Sequence, residues 1–563
     1  MQVSIEWLHD YIDFKETAEE LADKYTMAGV PVENVVRADR GLDKVVTGRI
    51  EQLEPNPDSD HLLVCRMNVG QKELVTIQTG ADNVHEGDIV PVALVGAHLP
   101  NGLKIAKGKL RGIVSNGMLC SAGELKLDES KLTEEQKDGI YILPPDTPVG
   151  IPASKVLGLD GVVLEFELTA NRGDCFSVLG LVREAAVLTG GEAKFPEIRV
   201  EEDASVKASD LIEIGIAAPE LCSRFSARVL QNVKIAPSPA WMAKRLEDAG
   251  IRAINNVVDV TNFVMLEFGQ PMHAYDWAQI AGKKLTARLA AKGEELHTLD
   301  DSSRRAKGTE LVIADAEKAA GLAGVMGGLE SEVTDATQTV VLEAAAFNGA
   351  SIRRTSRALG LRSEASGRFE RGVDVAHTVR ALDRAAQLLQ QMGACTVASG
   401  VVDVYPAPKE PVEVTFTAAA VNARLGTEIE GAEMKRILEK LGFAVREESS
   451  SYIACVPSWR SDVTLMEDIS EEVARIHGYD KIAATRPRGE AVQGRQSERL
   501  AFIGRIKEIL TGLGMTETVS FSFTHPSMFD KMQVPQASVL RRAVPIMNPL
   551  TDEYPLVRTT LLS

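Results

Sequence analysis

Glu343 is a carboxylate in an otherwise apolar run, with Val340, Val341 and Leu342 before it and Ala344 to Phe347 after it. A lone acid in such a strand is costly unless something pairs with it, so its type and place suggest a single polar group in an apolar pocket. Two further stretches carry residues of the same kind. The segment from Ile254 to Asp276 holds Thr261, Asn262 and His273, and Gly321 to Gly328 reads GLAGVMGG. Glycines such as Gly324, Gly327 and Gly328 let backbone N–H groups approach a ligand closely. Downstream, Ser363 and Ala365 lie among Arg353, Arg354, Arg357, Arg362, Arg368 and Arg371. No Ser-His-Asp or Cys-His spacing is evident, and the glycines lack the context of a dinucleotide or P-loop motif. These residues alone describe a polar cleft. A lone His273 is more often a structural histidine than a catalyst, Glu343 also suits an outward strand position, and the glycines ordinary turns.

A second group of acids lies further on. Asp468, Glu471 and Glu472 stand at i, i+3 and i+4, on one helical face, with Asp462 just upstream. Hard oxygen ligands without His or Cys suit Mg²⁺, although acids also favour a helix N-terminus through its dipole. Lys104, Lys107, Lys109 and Arg111 cluster within eight residues, either a phosphate-binding surface or a solvated face.

These groups must be positioned by a chain of 563 residues, long enough for roughly three to five domains. No apolar run approaches a membrane span, and MQVSIEWLHDYIDF carries no leader-like core, so the expectation is a cytoplasmic protein with no membrane contact. Six scattered cysteines without a C-x-x-C pair argue against a disulfide framework or a cysteine zinc site. A net charge of −18 disfavours indiscriminate nucleic-acid binding and leaves any RNA contact to local cations.

The texture of the chain predicts a multidomain α+β architecture. Short alternating strands between Gly, Pro and Asn turns suggest a small closed barrel over 40–154. It is flanked by mixed segments 1–39 and 155–200, which reads as a barrel inserted into one discontinuous α/β domain. In NRGDCFSVLGLVREAA, Leu179, Val182 and Ala186 share a helical face and Asp174 is the expected N-cap. A mixed α/β region covers 205–405. PAPKEP then marks a boundary before a compact α/β unit over 411–486, whose helix GAEMKRILEKLGF buries Met434, Ile437, Leu438 and Leu441. A last unit over 490–563 starts with an amphipathic helix and an expected strand TETVSFSF. It stops within what reads as a structured motif, which suggests a piece of something longer.

EPNPDSDHLLVCRMNVG, TGADNV and SNGMLCSAGEL resemble the tRNA-binding OB-fold shared by several aminoacyl-tRNA synthetases. With the central segments, VPSWRSDVTLMEDISEEVARIHGYDKI and NPLTDEYPLVRTTLLS, the whole chain resembles the beta subunit of bacterial phenylalanine–tRNA ligase. That resemblance implies an OB-fold barrel, a central editing region, a winged-helix-like α/β domain and the start of an inactive class II synthetase-like module. The amino-acid and ATP site would lie on an alpha subunit, in an assembly of two alpha and two beta chains acting on tRNA(Phe). On this chain, a hydrolytic site would remove tyrosine from mischarged tRNA(Phe). Glu343 would accept the tyrosine phenol. His273, Thr261 and Asn262 would hold the ester or the water, and Gly324, Gly327, Gly328, Ser363 and Ala365 would shape the pocket. Asp462, Asp468, Glu471 and Glu472 would hold Mg²⁺, and Lys104 to Arg111 would face tRNA. A freestanding trans-editing or tRNA-binding protein, and a purely structural subunit, are the alternatives.

Overall fold

The computed structural model describes residues 1–38, 42–127, 132–486, 489–490 and 493–562. The expected boundary at 39/40 lies outside the described residues. The chain divides into two compact units, Met1–Ala483 and Ala484–Ser563.

In the first unit, Gln2–Ser4 pairs antiparallel with Val162–Phe166, which pairs in turn with Val32–Arg37. The chain therefore leaves this sheet at Arg37 and re-enters it at Val162, with the barrel strands between. Trp7 is fully buried and stacks on Phe263, ring centroids 4.8 Å apart. Helix Val178–Thr189 joins the same core, and its N-cap is Ser177, whose hydroxyl accepts the Gly180 N–H at 3.0 Å. Asp174, expected in that role, lies too early in the chain to reach the first turn. Both its oxygens are instead engaged by Arg172, at 3.0 and 2.9 Å.

Five antiparallel strands follow in the spatial order Val75–Thr79, Leu63–Asn68, Val45–Pro55, Ile89–Leu94 and Gly117–Leu119. The two outer strands meet where the Asn116 N–H donates to the Thr76 carbonyl at 2.9 Å. Ile50, Met67, Ile77 and Val92 fill the enclosed core, as inward alternation along each strand requires.

The central region is built on Val340–Phe347, whose eight residues are all buried. It pairs antiparallel with Cys222–Gln231 on one side and Met272–Asp276 on the other. Alternate residues serve different cores. Leu342 and Ala344 pack with Val264 and Leu382, from the helices Asn256–Phe268 and Thr378–Gln391. Val341, Ala345 and Phe347 pack with Leu285 and Ile313 of a second, five-stranded sheet. A strand covered on both faces reads as a continuous apolar run. Glu343 shares the parity of Val341 and Ala345, so it points between the two sheets.

Residues 413–477 form the third part, with sheet order Glu413–Phe416, Ser451–Cys455, Ala444–Glu448. Helix Gly431–Lys440 buries Met434, Ile437 and Leu438, and Leu441 beyond it is buried too. Helix Met466–His477 is tied to the N-terminal part by a buried chain of charges. Arg172 donates to Glu184 at 2.6 Å, Arg475 to Glu184 at 2.7 Å, and Arg460 to Glu472 at 2.6 Å and Asp462 at 2.8 Å. Arg475 also pairs with Glu472, closing the alternation. Burial works against an ionised Glu472, but the bonds from Arg460 and the charge of Arg475 outweigh it and hold the carboxyl well below its usual range.

The second unit has helix Glu498–Gly512, with Leu500, Phe502 and Ile509 exposed, and a short pair Phe523–Thr524 with Leu556–Val557. The expected strand over 516–523 is reduced to its last residue. Val519 is 96% and Phe521 77% exposed, and without a pairing neighbour among the described residues the alternation produces no ladder.

Candidate functional site

His273 stands directly opposite Glu343 in the antiparallel ladder, and Tyr275, two residues on, projects from the same face. The three side chains therefore meet. The Tyr275 hydroxyl donates to Glu343 Oε2 at 2.5 Å, and its ring lies edge-on to the imidazole, centroids 4.5 Å apart. Burial pushes the Glu343 carboxyl up, and the phenol pulls it partly back, leaving it at about 7. Burial alone depresses His273 to about 4, so the ring is neutral, and its buried Nε2 has no hydrogen-bond partner. The Tyr275 phenol is held neutral, its pKa raised by burial and by the neighbouring carboxylate.

These groups line a cavity of about 100 Å³. Its other walls are Gly324 and Gly327 from the glycine run and Ala365 and Phe369 from helix Glu364–Arg371. The glycines are there for room. A Cβ on Gly327 would come 2.3 Å from His273 Cε1, and one on Gly324, at φ +67°, would meet Phe369 Cδ2 at 2.8 Å. Gly328 lies outside the cavity. Its N–H is engaged by the Ala320 carbonyl at 2.9 Å, so it offers no donor to a ligand. Ser363 is one step back: it caps helix Glu364–Arg371 and donates to the Val325 carbonyl at 2.8 Å, fastening helix to glycine loop. Thr261 and Asn262 do not line the cavity. They sit on helix Asn256–Phe268, whose apolar side covers the opposite face of the sheet, and the Thr261 hydroxyl turns back to the Val258 carbonyl at 2.7 Å. Tyr275 is a site residue beyond those expected from the sequence, and the i, i+2 spacing in HAYD is the signal that places it beside His273.

The arrangement is an acceptor for a phenol next to an uncharged imidazole, in a pocket that is otherwise apolar. One carboxylate oxygen already holds such a donor, while Oε1 makes no hydrogen bond among the described residues.

The acidic group does not assemble as a ligand set. Asp462 and Glu472 face arginines, and Asp468 accepts the backbone N–H groups of Thr464 and Leu465, each at 2.8 Å. Only Glu471 is exposed and unengaged among the four. Two carboxylates neutralised by buried guanidinium groups do not fit a Mg²⁺ site, and the four form no common ligand cluster among the described residues. Lys104, Lys107, Lys109 and Arg111 are all exposed, the last two on the hairpin of Gly108–Leu110 and Ile113–Ser115.

Four family models match the chain in succession. These are a putative tRNA binding domain over 45–152, a B3/4 domain over 221–394, a tRNA synthetase B5 domain over 414–479, and a phenylalanyl tRNA synthetase beta chain CLM domain over 482–563. The phenylalanine–tRNA ligase beta subunit of Moorella thermoacetica is 45% identical over 562 residues, covering 100% of this chain and 70% of that protein. The chain belongs to the phenylalanine–tRNA ligase beta subunit family. Clostridium tetani and Clostridium acetobutylicum beta subunits are each 42% identical, over 100% of this chain and 70% of theirs. Within this frame the Glu343 cavity falls in the B3/4 match, the arginine-bound acids in the B5 match, and the basic hairpin in the tRNA-binding match.

Proposed function

We propose that this chain works as the beta subunit of a phenylalanine–tRNA ligase, which converts ATP, L-phenylalanine and tRNA(Phe) into L-phenylalanyl-tRNA(Phe), AMP and diphosphate. Its own chemistry in that enzyme is the hydrolysis of Tyr-tRNA(Phe). Activation of phenylalanine with ATP falls to the alpha subunit, in a cytoplasmic assembly of two alpha and two beta chains. The apolar residues left exposed on helix Glu498–Gly512 support a surface for assembly. No helix among the described residues is long and apolar enough to cross a membrane.

One observation carries the editing reading: a buried carboxylate that already holds a phenol at 2.5 Å, on the wall of an apolar cavity. A phenylalanine pocket that merely admits an extra hydroxyl discriminates against tyrosine by only about 10². A second pocket that must hydrogen-bond the hydroxyl selects in the opposite sense. The substrate phenol donates to Glu343 Oε1. Phenylalanine leaves that oxygen buried without a donor, which costs roughly 1–3 kcal/mol. Neutral His273, with Nε2 unpaired, orients the water that attacks the ester.

We further read the barrel as an OB-fold over 40–154 that presents Lys104 to Arg111 to tRNA, set into the discontinuous domain 1–39 plus 155–200. We read 205–405 as the editing region, 411–486 as winged-helix-like, and 490–563 as the start of the inactive class II-like module. Aminoacyl-tRNA synthetases generally use Mg²⁺; of the four acids named for it, Asp468 and Glu471 are the two clear of arginine. The deciding experiment is deacylation by the alpha-assembled Glu343→Ala variant. Tyr-tRNA(Phe) and Phe-tRNA(Phe) should be hydrolysed at similar rates, and a retained preference for Tyr-tRNA would remove Glu343 from the reading.

A further inference from the structure

Helix Glu364–Arg371 is a wall shared by two spaces. Ala365 and Phe369, four residues apart, line the Glu343 cavity, whereas Gly367 and Arg371, also four apart, line a separate groove of about 620 Å³. Arg362, Phe176 and Glu364 also line the groove, together with Met1, Phe166, Glu167 and Leu168 of the N-terminal part.

The cations here differ in how they are used. Arg368 is buried and tied down: Nε donates to the Phe176 carbonyl at 3.1 Å, and Nη1 to the Glu364 carbonyl and carboxylate at 2.9 and 2.8 Å. Arg371 is held in place but electrostatically free. Its guanidinium lies 5.0 Å from the Phe176 ring centroid and Nη1 donates to the Gly367 carbonyl at 3.0 Å, yet Nε is buried without a partner. Arg362 is exposed. Neither Arg362 nor Arg371 forms an ion pair among the described residues, and the nearby Glu364 is taken by Arg368. Two guanidinium groups outside any ion pair, set against the single carboxylate of Glu167 that is likewise unpaired among the described residues, leave the groove net positive in a chain of net charge −18 and call for an anionic ligand.

We infer that this groove binds phosphodiester groups of the single-stranded 3′ end of the aminoacyl-tRNA, with Arg362 and Arg371 as positioning residues for the ester in the Glu343 cavity. The two spaces are about one helix diameter apart, roughly 10 Å, so an extended RNA end can lie in the groove and turn its terminal ester round the helix start. The inference rests on the editing reading and adds the track by which the substrate arrives.

The test uses the alpha-assembled enzyme and two substrates, Tyr-tRNA(Phe) and 2′(3′)-O-tyrosyl-adenosine, which has the ester but no phosphates. Arg362→Ala with Arg371→Ala should raise KM for Tyr-tRNA hydrolysis about tenfold with kcat preserved, and lower the log–log salt dependence of binding by roughly 0.7 per lost phosphate contact. Hydrolysis of tyrosyl-adenosine should be unchanged. Arg362→Ala alone, at an exposed position that leaves the fold intact, should give about half the salt effect, and Arg371→Lys should restore part of it. An unchanged KM and salt slope in the double variant overturns the groove. So does an equal loss on tyrosyl-adenosine, because the arginines would then be supporting the cavity itself. If the parent enzyme hydrolyses neither substrate, it is the editing reading that has failed, and the groove falls with it.

Discussion

Replacing Tyr275 by Phe removes a single oxygen and leaves the ring edge-on to His273. That oxygen is the hydrogen-bond partner of Glu343, at 2.5 Å. Burial has lifted the carboxyl to about 7, and the phenol is the group that pulls it down. A hydrogen bond to a charged group contributes about 1.5–3 kcal/mol. Its loss should therefore shift the carboxyl's ionisation toward the protonated form by roughly ten- to a hundredfold. An ionised carboxylate is the stronger acceptor for an incoming phenol. Hydrolysis of Tyr-tRNA should accordingly rise with pH through about 7 in the parent, and through a distinctly higher pH in the variant, reaching a similar alkaline limit. Single-turnover deacylation across the neutral range, corrected for spontaneous ester hydrolysis, measures this directly. An identical midpoint in the two proteins would refute the claim that Tyr275 sets the ionisation of Glu343. A lower alkaline limit at an unshifted midpoint would assign Tyr275 to shape alone.

Three further outcomes follow from the same geometry. Gly327→Ala places a methyl where His273 Cε1 would lie 2.3 Å away, so the imidazole must move; editing should fall about a hundredfold while tRNA binding, measured by filter retention, is preserved. Arg475→Met leaves Glu184 and Glu472 short of a cation, and urea unfolding should show a loss of about 3–5 kcal/mol. For pH and stability, Glu343 has a raised folded pKa, so its contribution is lost as pH rises from the ordinary carboxylate value of 4.5 to about 7. His273 has a depressed one, so its contribution is lost as pH falls from 6.5 to about 4. These slopes oppose each other in the parent. In Glu343→Gln only the histidine slope remains, and thermal melts should show the variant gaining on the parent as pH rises toward 7.

Much of this was legible from residue order alone. The eight-residue apolar strand, the acid within it and the glycine run each announce a special environment, and alternation along a strand predicts which neighbours share a face. Tyr275 could have been found by that rule from HAYD. What the sequence could not reveal was pairing between distant segments. Nothing local says that Asp462 and Glu472 meet Arg460 and Arg475 rather than a metal ion, because helical spacing places carboxylates on one face without saying what faces them. Thr261 and Asn262 precede His273 by only 12 and 11 residues, yet an intervening turn carries them to the other side of the sheet. TETVSFSF shows the limit of periodicity, since alternation needs a neighbouring strand before it becomes one.

The alternating charges between the N-terminal part and the B5 match bear on how such genes can recombine. Arg475 and Glu184 are 291 positions apart, and loss of either leaves the buried network of Arg172, Glu184, Glu472 and Arg475 out of charge balance. A crossover that replaced residues 414–479 from a distant relative, leaving the first 200 untouched, would inherit a compatible surface only if the donor kept an arginine at the same helical turn. Segments that look like independent cassettes in linear order are bound to be inherited as a matched pair.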